Sequence, residues 1–499
     1  MKMPDLNLET IEKRPKIIKA LRKIIPEENF GDNIIEDEDG LKVYECDGLS
    51  AYCQLPMLVV LPETTEQVSQ TLKYCSDNDI KVVARGSGTS LSGGALPLAD
   101  AVLLGLGKFN KIIDIDYNNR TVVAQPGVTN LSITEAVMHN NFYYAPDPSS
   151  QIACSIGGNV AENSGGVHCL KYGLTTNNIL GIEMVLMNGD IITLGGKYLD
   201  AGGYDFLGIL AGSEGLLGVI TEVTVRILRK PDLARAMLIG FDDIVAAGDC
   251  VASIIGAGII PGGMEMMDKL AIKAAEDFIQ AGYPLDVEAL LIVELDGPKS
   301  EIDYLINIVE DISKDHGAGY IRISNNDSER EIFWAGRKAA FPAVGRITPD
   351  YYCMDGTIPR SKLPEVLKSM NEMSEKYDLR VANVFHAGDG NLHPLIMYDA
   401  NKEGELKRAE DFGSEILKLC VEVGGVLTGE HGVGVEKRDL MSTMFTEEDL
   451  KQQQRVKCAF DPEGLLNPGK VFPTLHRCSE LGRVHVHQGE TRFPDIPHF

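Results

Sequence analysis

The pattern of apolar and polar positions predicts a helical start and then a β-α-β unit. Residues 57–61 form a short apolar run that is typical of a buried strand. Thr64 is a candidate helix N-cap, because Gln67 follows it three residues later. The run 81–84 predicts a second strand. The apolar positions that recur among charges in the first fifty residues, and that predict the helical start, are Ile11, Ile17, Ile18, Leu21, Ile24 and Ile25.

The second half of the chain alternates between strand-like and helix-like patterns. Residues 290–294 and 320–323 favour strands, whereas 269–281 and 301–314 have helical spacing. We therefore predict α+β architecture, with an antiparallel sheet from about residue 233 onward. Two amphipathic helices, predicted at 404–422 and 446–459, form a C-terminal helical segment.

A glycine-rich loop follows the second predicted strand. Residues 85–94 contain four glycines separated by serine and threonine. Glycine lets backbone N–H groups come close to a ligand, so such a loop can cradle phosphate oxygens, although many such loops are only turns. The loop lacks the nicotinamide-type fingerprint, because Leu91 stands where its third glycine is required. A Gly-Lys-Ser/Thr ending, as in a Walker loop, is also missing.

Three further glycine-containing segments lie at 125–128, 146–166 and 212–221. In this order and spacing, they and the first loop resemble the FAD-binding domain shared by vanillyl-alcohol oxidase, MurB and the bacterial FAD-linked 2-hydroxyacid dehydrogenases. The resemblance covers roughly residues 53–232. The positions that it implies for FAD binding are Arg85, Gly86, Ser87, Gly88, Thr89, Ser90, Gly93, Pro146, Asp147, Gly157, Gly158, Asn163, Gly166, Glu214, Gly218 and Ile220.

Composition narrows the classes of partner. The formal net charge of −26 disfavours binding to nucleic acid or to anionic lipid. No apolar run approaches the roughly 18–20 residues of a membrane helix, and the N-terminus does not resemble a signal peptide. We expect a cytoplasmic protein, associated with the inner face of the membrane through partners at most. The ten cysteines form no Cys-x-x-Cys series, so an iron–sulfur centre would have to lie on another chain.

Two glycine-framed segments, 385–393 and 427–434, contain three histidines and a glutamate. Asp389-Gly390 is a strong turn pair and can fold the chain so that His386 and His393 face one point. Together with Glu430 they form a ligand set that suits zinc, iron or manganese. The alternative for each histidine is a hydrogen-bonded residue of the core.

The two segments resemble the C-terminal signature of FAD-linked D-2-hydroxyacid dehydrogenases. In that family, residues like His386, His393 and Glu430 bind the metal, and one like His431 is the catalytic base. The resemblance also implies that Arg337 grips the substrate carboxylate. A residue like Asn467 returns to the flavin site.

Further segments at 44–50, 262–268, 350–357 and 473–478 resemble the members of this family that oxidise glycolate or D-lactate, so the resemblance covers essentially the whole chain. They imply noncovalent FAD, since 85–94 lacks the histidine that bonds the flavin in other relatives. Cys353 stands where dicarboxylate-using relatives have a cation, which favours glycolate or D-lactate over a dicarboxylate, although Lys338 or Lys437 could substitute. The implied partners are an iron–sulfur subunit and a second subunit with an FAD domain.

Other assignments stay open on the sequence. They are a D-lactate dehydrogenase that uses an electron-transfer flavoprotein, a noncatalytic scaffold subunit, a metal-dependent hydrolase and an oxygen-using oxidase. The predicted organisation is an N-terminal helical segment at 1–52, an FAD-binding domain at 53–232, a substrate-binding cap domain at 233–472 and a tail at 473–499.

Overall fold

The computed structural model describes residues 3–26, 33–199 and 202–473. The tail from residue 474 onward lies outside the described residues. The N-terminal region contains the predicted helices and, in addition, a short strand at 34–35 that pairs with residues 59–60. None of the described helices is both long and apolar enough to cross a membrane. The first elements are α1 (Leu8–Glu12), α2 (Arg14–Ile24), β1 (Ile34–Ile35) and α3 (Glu38–Lys42).

A four-stranded sheet of order β1-β2-β4-β3 carries the first glycine loop. Its other members and the connecting helix are β2 (Leu58–Val60), α4 (Thr65–Asp77), β3 (Lys81–Arg85) and β4 (Ala101–Gly105). The Thr64 side chain accepts a hydrogen bond from the Gln67 N–H and caps α4, which confirms that prediction. Because β3 ends at Arg85, the glycine loop leaves the sheet directly from a buried strand.

A five-stranded antiparallel sheet of order β5-β6-β10-β8-β9 follows. The elements in this region are β5 (Ile112–Asp116), β6 (Thr121–Ala124), α5 (Asn130–Val137), β7 (Phe142–Tyr143), α6 (Ile156–Glu162), α7 (Cys169–Tyr172), β8 (Ile179–Val185), β9 (Ile191–Gly195), α8 (Phe206–Leu210), β10 (Val219–Arg226) and β11 (Leu228–Arg229). Helix α6 packs beside β10 and presents its glycine-containing first turn toward the loop after β3.

The second half forms a seven-stranded sheet of order β15-β12-β14-β13-β17-β18-β16, and all its pairings are antiparallel, as predicted. Its strands are β12 (Leu233–Phe241), β13 (Gly263–Asp268), β14 (Ala289–Gly297), β15 (Tyr320–Ile323), β16 (Asp350–Cys353), β17 (Val381–Phe385) and β18 (Pro394–Tyr398). The helices are α9 (Ile244–Gly256), α10 (Lys269–Ile279), α11 (Lys299–Asp315), α12 (Asp327–Lys338), α13 (Ala340–Val344), α14 (Leu363–Tyr377), α15 (Glu405–Glu422), α16 (Met441–Met444) and α17 (Glu447–Phe460).

Helices cover both faces of this sheet, which explains why β14 is almost continuously apolar. Leu291 and Val293 face the core that α9, α11, α14 and α15 complete, whereas Leu290 and Ile292 face the core under α10, α12 and α13. Each side chain of this kind contributes about 1.5–3 kcal/mol on full burial. The sheet is therefore a rigid support for the polar side chains on it.

The C-terminal segment returns to the first sheet. Leu466 pairs in parallel with Val82 of β3, and the Asn467 N–H donates to the Val82 carbonyl at 2.7 Å. The last described residues are thereby fixed next to the strand from which the glycine loop begins.

Candidate active site

One cavity of about 680 Å³ lies between the glycine loops and the seven-stranded region, within the size range of cofactor sites. From the first half it is lined by the glycine loops and α6, and from the second half by Lys338, Phe341, Pro342, Tyr351, His393, Glu430 and His431. The glycine loops and the polar side chains of the second half therefore line the same cavity.

The glycine end of the cavity has no room for side chains. A Cβ at Gly86 would overlap the Ser155 Oγ, and a Cβ at Gly157 would lie 2.5 Å from the Pro126 Cβ. Gly88 has φ +70°, and a Cβ there would overlap the Arg85 guanidinium. Arg85 in turn donates to the Cys46 carbonyl at 2.6 Å. This close packing of backbone is the surface that a pyrophosphate needs, so the residues present fit FAD.

The structure brings most of the predicted FAD residues to the cavity. Those that line it are Arg85, Gly86, Ser87, Gly88, Thr89, Ser90, Gly157, Gly158, Glu214, Gly218 and Ile220. The Glu214 carboxylate also accepts the N–H groups of Val433 at 2.6 Å and Gly434 at 2.7 Å, so it holds the C-terminal half against the cradle.

Six further residues predicted to bind FAD lie outside the cavity lining, and their contact with the cofactor stays a prediction: Gly93, Pro146, Asp147, Asn163, Gly166 and Asn467. Asp147 accepts from His168 at 2.8 Å, and Gly166 packs on the Asp147 backbone. Asn467 donates to the carbonyls of Gly94 at 3.0 Å and Glu214 at 2.7 Å. These residues occupy turns that shape the loops. Residues that contact a ligand have the same glycine-rich sequence context, so the sequence alone does not separate the two roles.

The remaining three residues are fixed by backbone conformation or by hydrogen bonds to neighbouring segments. Gly93 has φ +74°, and its Cβ would overlap the Val435 side chain. The Pro146 carbonyl accepts from Asn130 at 3.0 Å. Asn163 ends α6 in the left-handed region and accepts from the Thr176 N–H at 2.9 Å.

At the other end of the cavity, His386, His393 and Glu430 converge. Their candidate ligand atoms lie within 4.8 Å of one another. The Glu430 Oε1 is 3.0 Å from His393 Nε2 and 3.4 Å from His386 Nε2. The turn at Asp389-Gly390 reverses the chain between the two histidines, since the Gly390 N–H donates to the His386 carbonyl at 3.0 Å.

This cluster has the properties of an open metal site. The His393 Nε2 is buried and, among the described residues, has no hydrogen-bond partner, because its approach to Glu430 lacks hydrogen-bond geometry. A buried ring nitrogen that faces a carboxylate in this way fits a divalent cation between them. The residues therefore fit the predicted metal.

Glu265 on β13 orients the first of these histidines, and the sequence did not single it out. Its carboxylate accepts from His386 Nδ1 at 2.6 Å, so the Nε2 of His386 is the nitrogen that faces Glu430. Carboxylates that hold the far nitrogen of a ligand histidine fix its tautomer and raise its basicity. The signal in the sequence was a glutamate flanked by two methionines, Met264 and Met266.

Arg337 is the partner of that glutamate and does not line the cavity. Its Nε and Nη2 lie 2.8 Å and 2.7 Å from the Glu265 Oε2, and the side chain is 2 % exposed. In this geometry Arg337 pairs with Glu265, and its contact with a substrate carboxylate stays a prediction. The next residue, Lys338, lines the cavity beside Phe341 and Tyr351.

Asp355 shapes the turn that carries His431. Its Oδ2 accepts the N–H of His431 at 2.9 Å and of Gly429 at 3.1 Å. The His431 ring stacks on His393 with centroids 5.0 Å apart. Its Nδ1 is buried and has no hydrogen-bond partner among the described residues. Burial lowers the pKa of His431 to about 4, despite the opposing effect of Asp355, so the ring is neutral at pH 7.

The fold is of the predicted vanillyl-alcohol oxidase type. p-Cresol methylhydroxylase has a similar fold with a TM-score of 0.78 at 19% identity, over 94% of this chain and 98% of that chain. The 4-ethylphenol oxidase of Gulosibacter chungangensis also has a TM-score of 0.78 at 19% identity, over 94% and 99%. These likenesses confirm the predicted fold.

Sequence comparison places the chain more closely. Residues 56–195 match the FAD binding domain family, and residues 230–471 match the C-terminal domain of FAD linked oxidases. The glycolate oxidase subunit GlcD of Escherichia coli K12 is 56% identical over 97% of both chains. The D-lactate dehydrogenase of Anaerostipes hadrus is 31% identical over 92% of this chain and 97% of that protein. The chain belongs to the FAD-linked oxidases, in the family of GlcD, and its cofactor is FAD.

Proposed function

We propose that this chain oxidises a small 2-hydroxy acid, glycolate or D-lactate, to the 2-oxo acid. The observation that carries the proposal is that the histidine–glutamate cluster and neutral His431 share one end of a cavity whose other end is the FAD cradle. The relatives named glycolate oxidase and D-lactate dehydrogenase support this class of substrate.

Two bound groups supply the chemistry that amino acids lack. His386, His393 and Glu430 would hold a divalent cation, which lowers the pKa of a bound hydroxyl. FAD, held by the glycine loops, would supply the hydride acceptor that the oxidation requires. What remains for the chain is to orient the acid, to exclude water and to take the hydroxyl proton.

His431 is suited to take that proton. It is neutral at pH 7 and buried, and its Nδ1 has no competing donor or acceptor among the described residues. Because the backbone of the turn is fixed by Asp355, the ring has little freedom to leave the cluster. A general base must be unprotonated and held in a fixed position, and His431 meets both conditions.

Lys338 is the group that we assign to the substrate carboxylate. Apart from the imidazoles, the cations that line the described cavity are Arg85, at the cradle end, and Lys338. A single lysine in the cavity lining suits a monocarboxylate. Phe341 and Tyr351 beside Lys338 close the space around the substrate carbon chain. This arrangement favours glycolate or D-lactate over a dicarboxylic acid.

The electrons that FAD receives must leave the chain. The GlcD relatives are named as subunits, which supports membership of a multi-subunit complex. We assign an iron–sulfur subunit as the electron acceptor, together with a second FAD-domain subunit, at the cytoplasmic face of the membrane. The second candidate is a D-lactate dehydrogenase that reduces an electron-transfer flavoprotein, which the D-lactate dehydrogenase relatives support.

Anaerobic mixing of the purified holoprotein with single acids tests the proposal. Glycolate or D-lactate should bleach the visible absorbance of the flavin and yield glyoxylate or pyruvate, whereas 2-hydroxyglutarate should not. NAD should not reoxidise the flavin, oxygen should do so only slowly, and artificial dyes should do so fast. Acid precipitation should release all the FAD from the chain. Flavin that stays oxidised with both acids would refute the proposed activity.

A further inference from the structure

Glu162, the last residue of α6, has a position in the cavity that neither the cradle nor the histidine cluster explains. It lines the cavity between these two ends. Its Oε2 is buried and has no hydrogen-bond partner among the described residues. A buried carboxyl oxygen without a partner is costly, so its retention indicates that a ligand completes it.

Two glycines from distant segments make room for this carboxyl group. A Cβ at Gly94, in the first glycine loop, would lie 2.7 Å from the Glu162 Oε1. A Cβ at Gly432, directly after His431, would overlap the Oε2. Gly432 also has φ +83°, which favours glycine. The carboxyl group therefore lies at the seam between the phosphate cradle and the turn of the proposed base.

The groups around Glu162 decide which carboxyl holds a proton. The charged groups that face it are Glu214, Asp47 and Lys437, and the Ser90 hydroxyl is its neutral partner. Glu214 accepts two backbone N–H groups at 2.6 Å and 2.7 Å, whereas the one donor that faces Glu162 from the described residues is the Ser90 hydroxyl. Burial and then the Glu214 charge raise the pKa of Glu162 well above its ordinary value. When two carboxyls share a buried site, the one with fewer donors keeps the proton.

The seam is also where the redox ring of FAD must lie. The pyrophosphate belongs on the glycine loops, and the carbon that loses hydride belongs beside His431. The ring that joins these two points spans the seam. The heterocyclic edge of a flavin carries carbonyl oxygens and ring nitrogens that accept hydrogen bonds and become more basic as the ring gains electrons.

We propose that Glu162 is a neutral carboxylic acid whose Oε2 donates a hydrogen bond to the redox ring of FAD and thereby raises the reduction potential of the flavin. The proposal rests on the FAD site and not on the identity of the substrate. A donor of this kind stabilises the reduced ring more than the oxidised ring, since negative charge develops on the ring atoms that accept the bond.

Glu162→Gln and Glu162→Ala separate the possible states of this side chain. The midpoint potential of each holoprotein is measured by equilibration with a reference dye, without substrate. Gln is neutral and still donates a hydrogen bond. The midpoint potential of Glu162→Gln should therefore differ from wild type by less than a tenfold change in the oxidised-to-reduced equilibrium, about 30 mV for two electrons. Glu162→Ala should shift that equilibrium more than tenfold toward oxidised FAD. Glu222→Gln, a carboxyl outside the cavity lining, is the control and should change nothing.

Two results would overturn the proposal. If the midpoint potential of Glu162→Gln rises by more than a tenfold change in the oxidised-to-reduced equilibrium, Glu162 carries a negative charge in the wild type. An unchanged potential in a folded, FAD-loaded Glu162→Ala would mean that it does not touch the ring. If the Ala variant does not hold FAD, the redox difference infrared spectrum decides instead. Wild type must then show a protonated-carboxyl band that changes on reduction and is missing in Glu162→Gln, and a spectrum without that band refutes the proposal.

Discussion

The glycine cradle and the histidine cluster lie at the two ends of one cavity, but they are built in opposite ways. The cradle is a surface from which side chains are missing, and added atoms at Gly86 or Gly157 would meet neighbours. The cluster is a convergence of large side chains from separate strands and turns. The cradle is therefore damaged by adding atoms and the cluster by removing them. Variants that do each should lose different bound groups.

The largest effect should follow removal of a carboxylate from the cluster. Glu430→Ala takes away the oxygen that faces both His386 and His393. We expect loss of the metal in elemental analysis and a fall in kcat of about 10³-fold, since metal assistance supplies several kcal/mol. FAD content should stay at the wild-type level. A variant that keeps its full metal content would contradict the ligand assignment, and Glu222→Ala serves as the off-site control.

Two variants with smaller expected effects distinguish a residue that orients a metal ligand from a residue that contacts the substrate. Arg337→Lys replaces a planar pair with Glu265 by a point charge, so His386 loses its fixed orientation. We expect metal affinity to fall about 10–100-fold, as for other outer partners of metal ligands. Lys338→Ala should instead raise the KM for the hydroxy acid at unchanged metal content. If Arg337→Lys raised KM alone, Arg337 would be the group that binds the substrate carboxylate.

Adding one methyl group should break the cradle selectively. In Gly157→Ala the new Cβ would lie 2.5 Å from the Pro126 Cβ, so the first turn of α6 must shift. Overpacking of this kind costs about 1–3 kcal/mol, and we expect the Kd of FAD to rise roughly tenfold. Metal content should not change. Gly107→Ala is the matched control because nothing lies within 4 Å of its Cβ. Equal losses of FAD in both variants would refute the packing argument.

The mildest test concerns pH. Since the pKa of His431 is lowered to about 4, the base stays neutral through the range in which an ordinary histidine, near 6.5, would protonate. We expect the acid limb of kcat/KM to lie well below pH 6.5. His431 should also make the protein less stable as pH falls from 6.5 through about 4, because the unfolded chain binds a proton that the folded ring refuses. An acid limb centred near pH 6.5, with His431→Gln showing the same stability profile as wild type, would contradict this.

Local features were readable from the sequence. Glycine runs next to apolar strands predicted the cradle, because positive φ and close backbone approach depend on the residue itself. The cap at Thr64 and the alternation after residue 233 likewise reflect local preferences. The glycine-framed turn between His386 and His393 could be predicted because its turn residues are adjacent in the chain.

Only the tertiary structure decided which polar side chains face the cavity. Neighbouring residues on a helix point about 100° apart, so on α12 Arg337 meets Glu265 while Lys338 reaches the cavity, and the sequence cannot supply the phase. Glu162 gained its place because Gly94 and Gly432, far apart in the chain, leave room on either side of it. A residue type and its local pattern fix a backbone conformation, whereas contacts between distant segments fix what each charged group meets.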